Sequence, residues 1–159
     1  MNCVVGVADM KVSNDPGTTL ITYSLGSCIG IAIYDGTARV GGILHYMLPE
    51  SSIAEEKARK NPFMFGNTGI PLLFKEAYKY GAKKNRLRVI VVGGAEILDQ
   101  KGMFNIGKRN YAIVRKMFWK NNVIVDFEEV GGNVNRTLKL EIESGGIYLK
   151  TAGRGVVKI

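Results

Sequence analysis

Residues 22–46 read TYSLGSCIGIAIYDGTARVGGILHY, and this stretch decides the fold. Ile29–Tyr34 and Val40–His45 are apolar runs of strand length, and the intervening DGTA is a hairpin signal. An antiparallel pair is therefore expected here. Upstream, Val4–Val7 and Thr19–Ser24 read as two further strands, separated by the turn-like SNDPG. Downstream, Pro49–Gly69 is polar, mixes acids with bases, and reads as a loop with one short helical turn, long enough to be functional. A helix is predicted over Pro71–Tyr80, with Pro71 in its first turn and Gly81 closing it; Ile70, Leu73, Phe74 and Ala77 then share one face. Leu87–Val92 is a short continuous apolar strand. A second helix is predicted within Gly107–Lys120, with Asn110, Ile113, Val114 and Met117 on one face. Val123–Val130 is a strand, and Thr137–Ile142 with Ile147–Lys150 form a last hairpin across ESGG. Strands lead and helices and strands mix afterwards. The expected class is α/β (α+β): one layered domain over residues 1–159, mostly antiparallel, with about eight strands and two main helices.

Composition narrows the function classes. The chain of 159 residues is 46% hydrophobic and 23% charged, ordinary for a globular protein. It shows no membrane-length apolar run and no secretion-signal pattern, so a cytoplasmic setting is expected. Two cysteines and one histidine, without metal-ligand spacing, argue against a disulfide framework, a zinc site or any metal cofactor. The net charge is +8 and its excess is local. Residues 78–91 hold Lys79, Lys83, Lys84, Arg86 and Arg88 without an acid, and residues 101–120 hold Lys101, Lys108, Arg109, Arg115, Lys116 and Lys120, again without one. Such faces suit an acidic partner. No nucleic-acid readout motif accompanies them, so nucleic acid is not the expected partner.

Chemistry concentrates in the hairpin. If its loop is Asp35–Ala38, Cys28 lies directly opposite His45, with Cβ atoms about 4.5–5.5 Å apart. A two-residue loop, Asp35-Gly36, sets His45 opposite Gly26 on the same face. An odd-length loop separates the two residues onto opposite faces. A thiolate is the attacking species, and a neighbouring imidazolium lowers the thiol pKa and later protonates the leaving group. Thr22 and Ser24 are the candidates to fix the imidazole tautomer. The backbone N–H groups of Gly26, Ser27 and Cys28 are placed to form an oxyanion hole. The competing reading is a packed cysteine and a satisfied core histidine, because free cysteine is among the most buried residue types. Cys3 has no local partner.

Taken with VGGILHYMLP, the block TYSLGSCIGIAIYD resembles the signature of the CheD family of chemoreceptor glutamine deamidases. GGAEIL…FNIGKRN and EEVGGNVNR resemble that family's later blocks in the same order, so the likeness runs from about Val4 to about Ser144. It implies a layered α/β core similar to that of deamidating toxins of the cytotoxic necrotising type. It also implies a catalytic triad of Cys28, His45 and Thr22. Gly26, Ser27, Gly93, Gly94, Phe104 and Asn110 are the further candidates for oxyanion or substrate binding. Family members convert glutamines of methyl-accepting chemotaxis receptors to glutamates. Some also hydrolyse receptor methyl esters, and many bind the phosphatase CheC. No cofactor is implied. Ile97-Leu98 and the segment DQKGMF depart from the family pattern, at positions expected to touch substrate or partner. The alternatives are a different thiol amidase or peptidase, and a non-catalytic adaptor that binds and stimulates a CheC-type phosphatase.

Overall fold

The computed structural model describes residues 1–97 and 104–159. Its centre is β4 (Ile29–Asp35), a strand buried at every residue. Ile29, Ile31 and Ile33 face one apolar cluster; Ala32 and Tyr34 face another. Both faces are covered, which is why the strand reads as a continuous apolar run.

β4 lies between β5 (Val40–Tyr46) and β6 (Leu87–Gly93) in a sheet that adds β2 (Asp9–Ser13) outside β5 and β7 (Phe127–Val130) outside β6. The second sheet runs β1 (Asn2–Val4), β3 (Thr19–Leu25), β8 (Arg136–Glu141), β9 (Ile147–Thr151), β10 (Gly155–Lys158). Among the described strands, the β1–β3 and β6–β7 pairs are parallel and the others antiparallel. α2 (Gly66–Lys79) and α3 (Ile106–Lys120) cover the outer face of the β4 sheet through Leu73, Phe74, Ile113 and Phe118. The other face packs Ala32, Ile43, Ile90 and Val92 on Leu20, Leu138 and Leu140 of the second sheet. The Tyr34 hydroxyl donates to the Ile142 carbonyl across this interface at 2.7 Å. The result is a mixed α/β architecture of helices, sheet and sheet in layers, as expected.

The hairpin register is neither of those expected on one face. Asp35 pairs with Val40, Tyr34 with Gly41 and Gly30 with His45. Asp35 stays in the strand because its buried carboxylate closes the turn itself. It accepts the Thr37 and Ala38 N–H groups at 2.9 and 3.1 Å, the Lys83 N–H at 2.9 Å and Arg86 Nε at 2.9 Å. Burial pushes the carboxyl pKa up, but Arg86 and the three N–H groups outweigh it and hold it down at about 2.

Several boundaries differ from expectation. The presumed loop Pro49–Gly69 is largely helical. Turns at Ser51–Ile53 and Pro62–Met64 flank α1 (Glu55–Lys60), and α2 already starts at Gly66. Tertiary anchoring explains it: Phe65 is fully buried and bridges Leu48, while Asn61 accepts the Phe63 N–H and donates to the Ala8 carbonyl. Pro71 therefore lies inside α2 rather than in its first turn. The first strand is Asn2–Val4 rather than Val4–Val7, and β7 begins at Phe127 rather than Val123. β2 and β10 were not anticipated. Both are short sheet edges carrying charges, the pattern that hides a strand from sequence reading.

Removing the Asp35 carboxylate takes the acceptor from three N–H groups around the turn and from Arg86 Nε. Asp35→Ala is expected to destabilise the protein by about 1–3 kcal/mol in urea unfolding. A change below about 1 kcal/mol would remove Asp35 from its anchoring role.

Candidate active site

Thr22 is the last regular residue of β3 before a β-bulge. It pairs with Leu138, but Leu25 pairs with Arg136, so Tyr23 and Ser24 together face one residue. Ser24 sits at φ 57° and is exposed. The bulge turns Leu25 back into the core and leaves Thr22, not Ser24, facing the opposite sheet. There the Thr22 hydroxyl lies 2.7 Å from His45 Nδ1 and 2.7 Å from the Val5 carbonyl oxygen. A carbonyl only accepts, so the single hydroxyl proton goes to Val5 and the Thr22 oxygen accepts from Nδ1–H. The tautomer follows: Nε2 carries the lone pair. That atom is buried with no hydrogen-bond partner among the described residues.

Cys28 immediately precedes β4. It continues the row Cys28, Gly30, Ala32, Tyr34 and packs on the intersheet cluster. His45 faces the same interlayer space from β5, directly opposite Gly30. The residue across from the imidazole thus has no side chain, and Cys28 is the next residue of that row. The expected shared face holds, displaced by one pair. Burial pushes the Cys28 thiol up, with its own backbone N–H pulling the other way. Burial pushes His45 from 6.5 to about 4. The expected thiolate–imidazolium resting pair is therefore replaced by a neutral one, because both groups are withdrawn from water.

A cavity of about 450 Å³ is lined by Ser24, Gly26, Ser27, Cys28, Glu96, Ile97, Phe104, Ile106 and Asn135 among others. Of the residues expected to bind substrate, Gly26, Ser27 and Phe104 line this cavity. Gly93, Gly94 and Asn110 do not line the cavity. Gly93 lies at φ 112°, where a Cβ would come within 2.2 Å of the Cys28 carbonyl oxygen, and the Gly94 N–H donates to that oxygen at 2.9 Å. The two glycines shape the backbone behind the cysteine. Asn110 is fully buried, and its amide donates to the Ser27 and Met47 carbonyls at 2.9 and 2.8 Å. Of the segments departing from the family pattern, Ile97 lines the cavity, while residues 98–103 lie outside the described residues. Val5, Glu96, Ile106 and Asn135 escaped sequence reading. Each arrives from a distant segment, and only a polar residue beside a glycine-rich block (Glu96, Asn135) gave a local hint. Among the described residues no helix is long and apolar enough to cross a membrane.

A layered α/β scaffold carrying a thiol and a hydroxyl-oriented imidazole on one face has the parts of a thiol hydrolase. The family model described as CheD chemotactic sensory transduction matches residues 47–151. The chain is 53% identical over 150 residues to the probable chemoreceptor glutamine deamidase CheD 1 of Syntrophus aciditrophicus, covering 94% of each chain. It is 48% identical to the probable chemoreceptor glutamine deamidase CheD of Solibacter usitatus, over 95% of this chain and 89% of that one. A solved structure, Neisseria meningitidis protein NMB0706, aligns at a TM-score of 0.44 and 8% identity, over 83% of this chain and 62% of the other. The protein belongs to the CheD family.

His45 is the chain's only histidine, so its state is directly measurable. Long-range ¹H–¹⁵N spectra should show a protonated Nδ1 and a bare Nε2, unchanged from pH 7.5 to 5.5. The unfolded chain binds the proton at 6.5 and the folded protein only at about 4. Stability present above pH 6.5 is therefore lost as pH falls towards 4, by up to about 3 kcal/mol. An imidazole titrating near 6.5 in the folded protein would contradict this environment.

Proposed function

We propose that this protein is a chemoreceptor glutamine deamidase, converting side-chain amides of receptor glutamines to glutamate and ammonia. In this reading Cys28 is the nucleophile, His45 the general base and acid, and Thr22 the group that orients the imidazole. The observation that carries it is the Thr22 hydroxyl held between the Val5 carbonyl and His45 Nδ1. That hydrogen bond leaves Nε2 bare on the face where Cys28 stands.

The neutral resting pair sets the order of events. As Cys28 Sγ attacks the glutamine Cδ, its proton passes to His45 Nε2, and the carbonyl π pair moves onto oxygen. The imidazolium is stabilised by Thr22 and by the developing negative charge. Collapse of the tetrahedral intermediate breaks the C–N bond, and Nε2–H protonates the departing nitrogen, releasing ammonia and leaving a thioester. Water, deprotonated by Nε2, then attacks the thioester. The C–S bond breaks, glutamate leaves and the thiol is restored. The Cys28 and Ser27 N–H groups are the oxyanion donors. Their peptide carbonyls, of Ser27 and Gly26, are drawn away by Asn110 and the Ala95 N–H, and no hydrogen bond to another described residue takes either N–H. The whole chain acts as one deamidase domain in the cytoplasm. Methyl-accepting receptors are its substrates, and a CheC-type phosphatase is a second partner, supported by family membership alone.

Incubation with a receptor's cytoplasmic fragment should add about 1 Da per modified glutamine, as NH₂ becomes OH. Cys28→Ala should abolish the gain, and full activity in that variant would sink the mechanism. Thr22→Val should lower kcat by about 10–100-fold, since base catalysis of this kind contributes about 10²–10⁴. Peptide cleavage in place of the mass gain would favour a peptidase.

A further inference from the structure

In the scheme above Asn110 only draws the Ser27 carbonyl aside, yet it is bonded to the chain on both sides of the site. It lies within α3, where asparagine is a poor helix former. It is fully buried. Both donors of its amide are used, on the Ser27 and Met47 carbonyls, from 83 and 63 residues away. Because both partners are carbonyls, the nitrogen is unambiguous. Its own backbone carbonyl accepts the Tyr46 hydroxyl at 2.7 Å. One residue thus ties together the position before the nucleophile and the two positions after the base. Its Oδ1 is buried with no hydrogen-bond partner among the described residues.

The bond to Ser27 has a stereochemical consequence. The Ser27 carbonyl and the Cys28 N–H belong to one peptide group, which is planar and trans. The two point in opposite directions. Drawing the carbonyl towards α3 turns the N–H away from the helix layer. The Cys28 side chain points to that same side, since it packs on the intersheet cluster.

We infer that Asn110 is a positioning residue that aims the Cys28 N–H at the oxyanion of the reaction by holding the Ser27 carbonyl, while fixing the chain beyond His45 through Met47. The inference rests on the deamidase reading. It gives a role to a helix residue that touches neither substrate nor reacting atoms. It also predicts that acyl chemistry and simple sulfur alkylation respond differently. Iodoacetamide alkylation displaces iodide at a saturated carbon and builds no oxyanion, so it does not need the aimed N–H.

The test compares wild type with Asn110→Ser and Asn110→Asp. Wherever a variant keeps a cooperative unfolding transition, deamidation kcat should fall about a hundredfold, the loss typical of one oxyanion donor. KM and the rate of Cys28 alkylation by iodoacetamide should stay within about threefold of wild type. An unchanged kcat, or kcat and alkylation falling in parallel, would overturn the inference. If both variants unfold, wild type decides. Hemithioacetal formation with a γ-aldehyde analogue of glutamine should move the Cys28 amide proton downfield, and an unmoved amide would overturn the aimed donor. A wild type that binds the analogue and is alkylated normally but deamidates nothing would count against the functional reading instead.

Discussion

The Thr22 hydroxyl, lodged between the Val5 carbonyl and His45 Nδ1, is the interaction on which the site depends. It joins the two sheets at a buried point where few polar groups are present. A hydroxyl has one proton, and its use on a carbonyl leaves the oxygen only as an acceptor. This single constraint fixes the tautomer of an imidazole that burial keeps neutral. Without a fixed tautomer, a buried neutral histidine divides between two forms, only one of which has its lone pair on Nε2.

The scaffold serves this point from both sides. β4 is covered by helices on one face and by the second sheet on the other, so the row that begins at Cys28 ends in the intersheet core. Asp35 anchors the far end of that strand and sets its register with β5. The bulge at Tyr23–Ser24 ends the regular pairing of β3 just after Thr22. Glycines behind Cys28 let β6 and its following turn approach the cysteine backbone more closely than any side chain permits. Each device spends local regularity on the placement of one group, as functional sites commonly do.

Burial also changes how the chemistry is pictured. Spacing alone favours an ion pair, because adjacent thiol and imidazole groups stabilise each other's charges in water. Inside the protein both charged forms lose hydration, so burial keeps the thiol and the imidazole neutral. Under the proposed reaction the thiolate forms within the attack, as the substrate carbonyl takes up negative charge.

Sequence alone determined a good deal. The alternation around Cys28 and His45 gave the hairpin and the shared face, because parity survives any even shift of register. The amphipathic spacing of Ile70, Leu73, Phe74 and Ala77 and of Ile113 and Val114 gave the two main helices, and the blocks around Cys28 carried the family. What it left undecided was whatever depends on a partner distant in the chain. The register was off by one pair because Arg86 and Lys83 hold Asp35 in the strand. Pro49–Gly69 folded into helices because Phe65 and Asn61 find anchors near Leu48 and Ala8. By alternation alone Ser24 and Thr22 are equivalent, and the bulge separates them. Asn110 looked like a substrate contact until its amide was found on two backbone carbonyls. Local pattern records which face a residue occupies; only the packed structure decides which donor meets which acceptor, since those pairs join segments that the sequence keeps far apart.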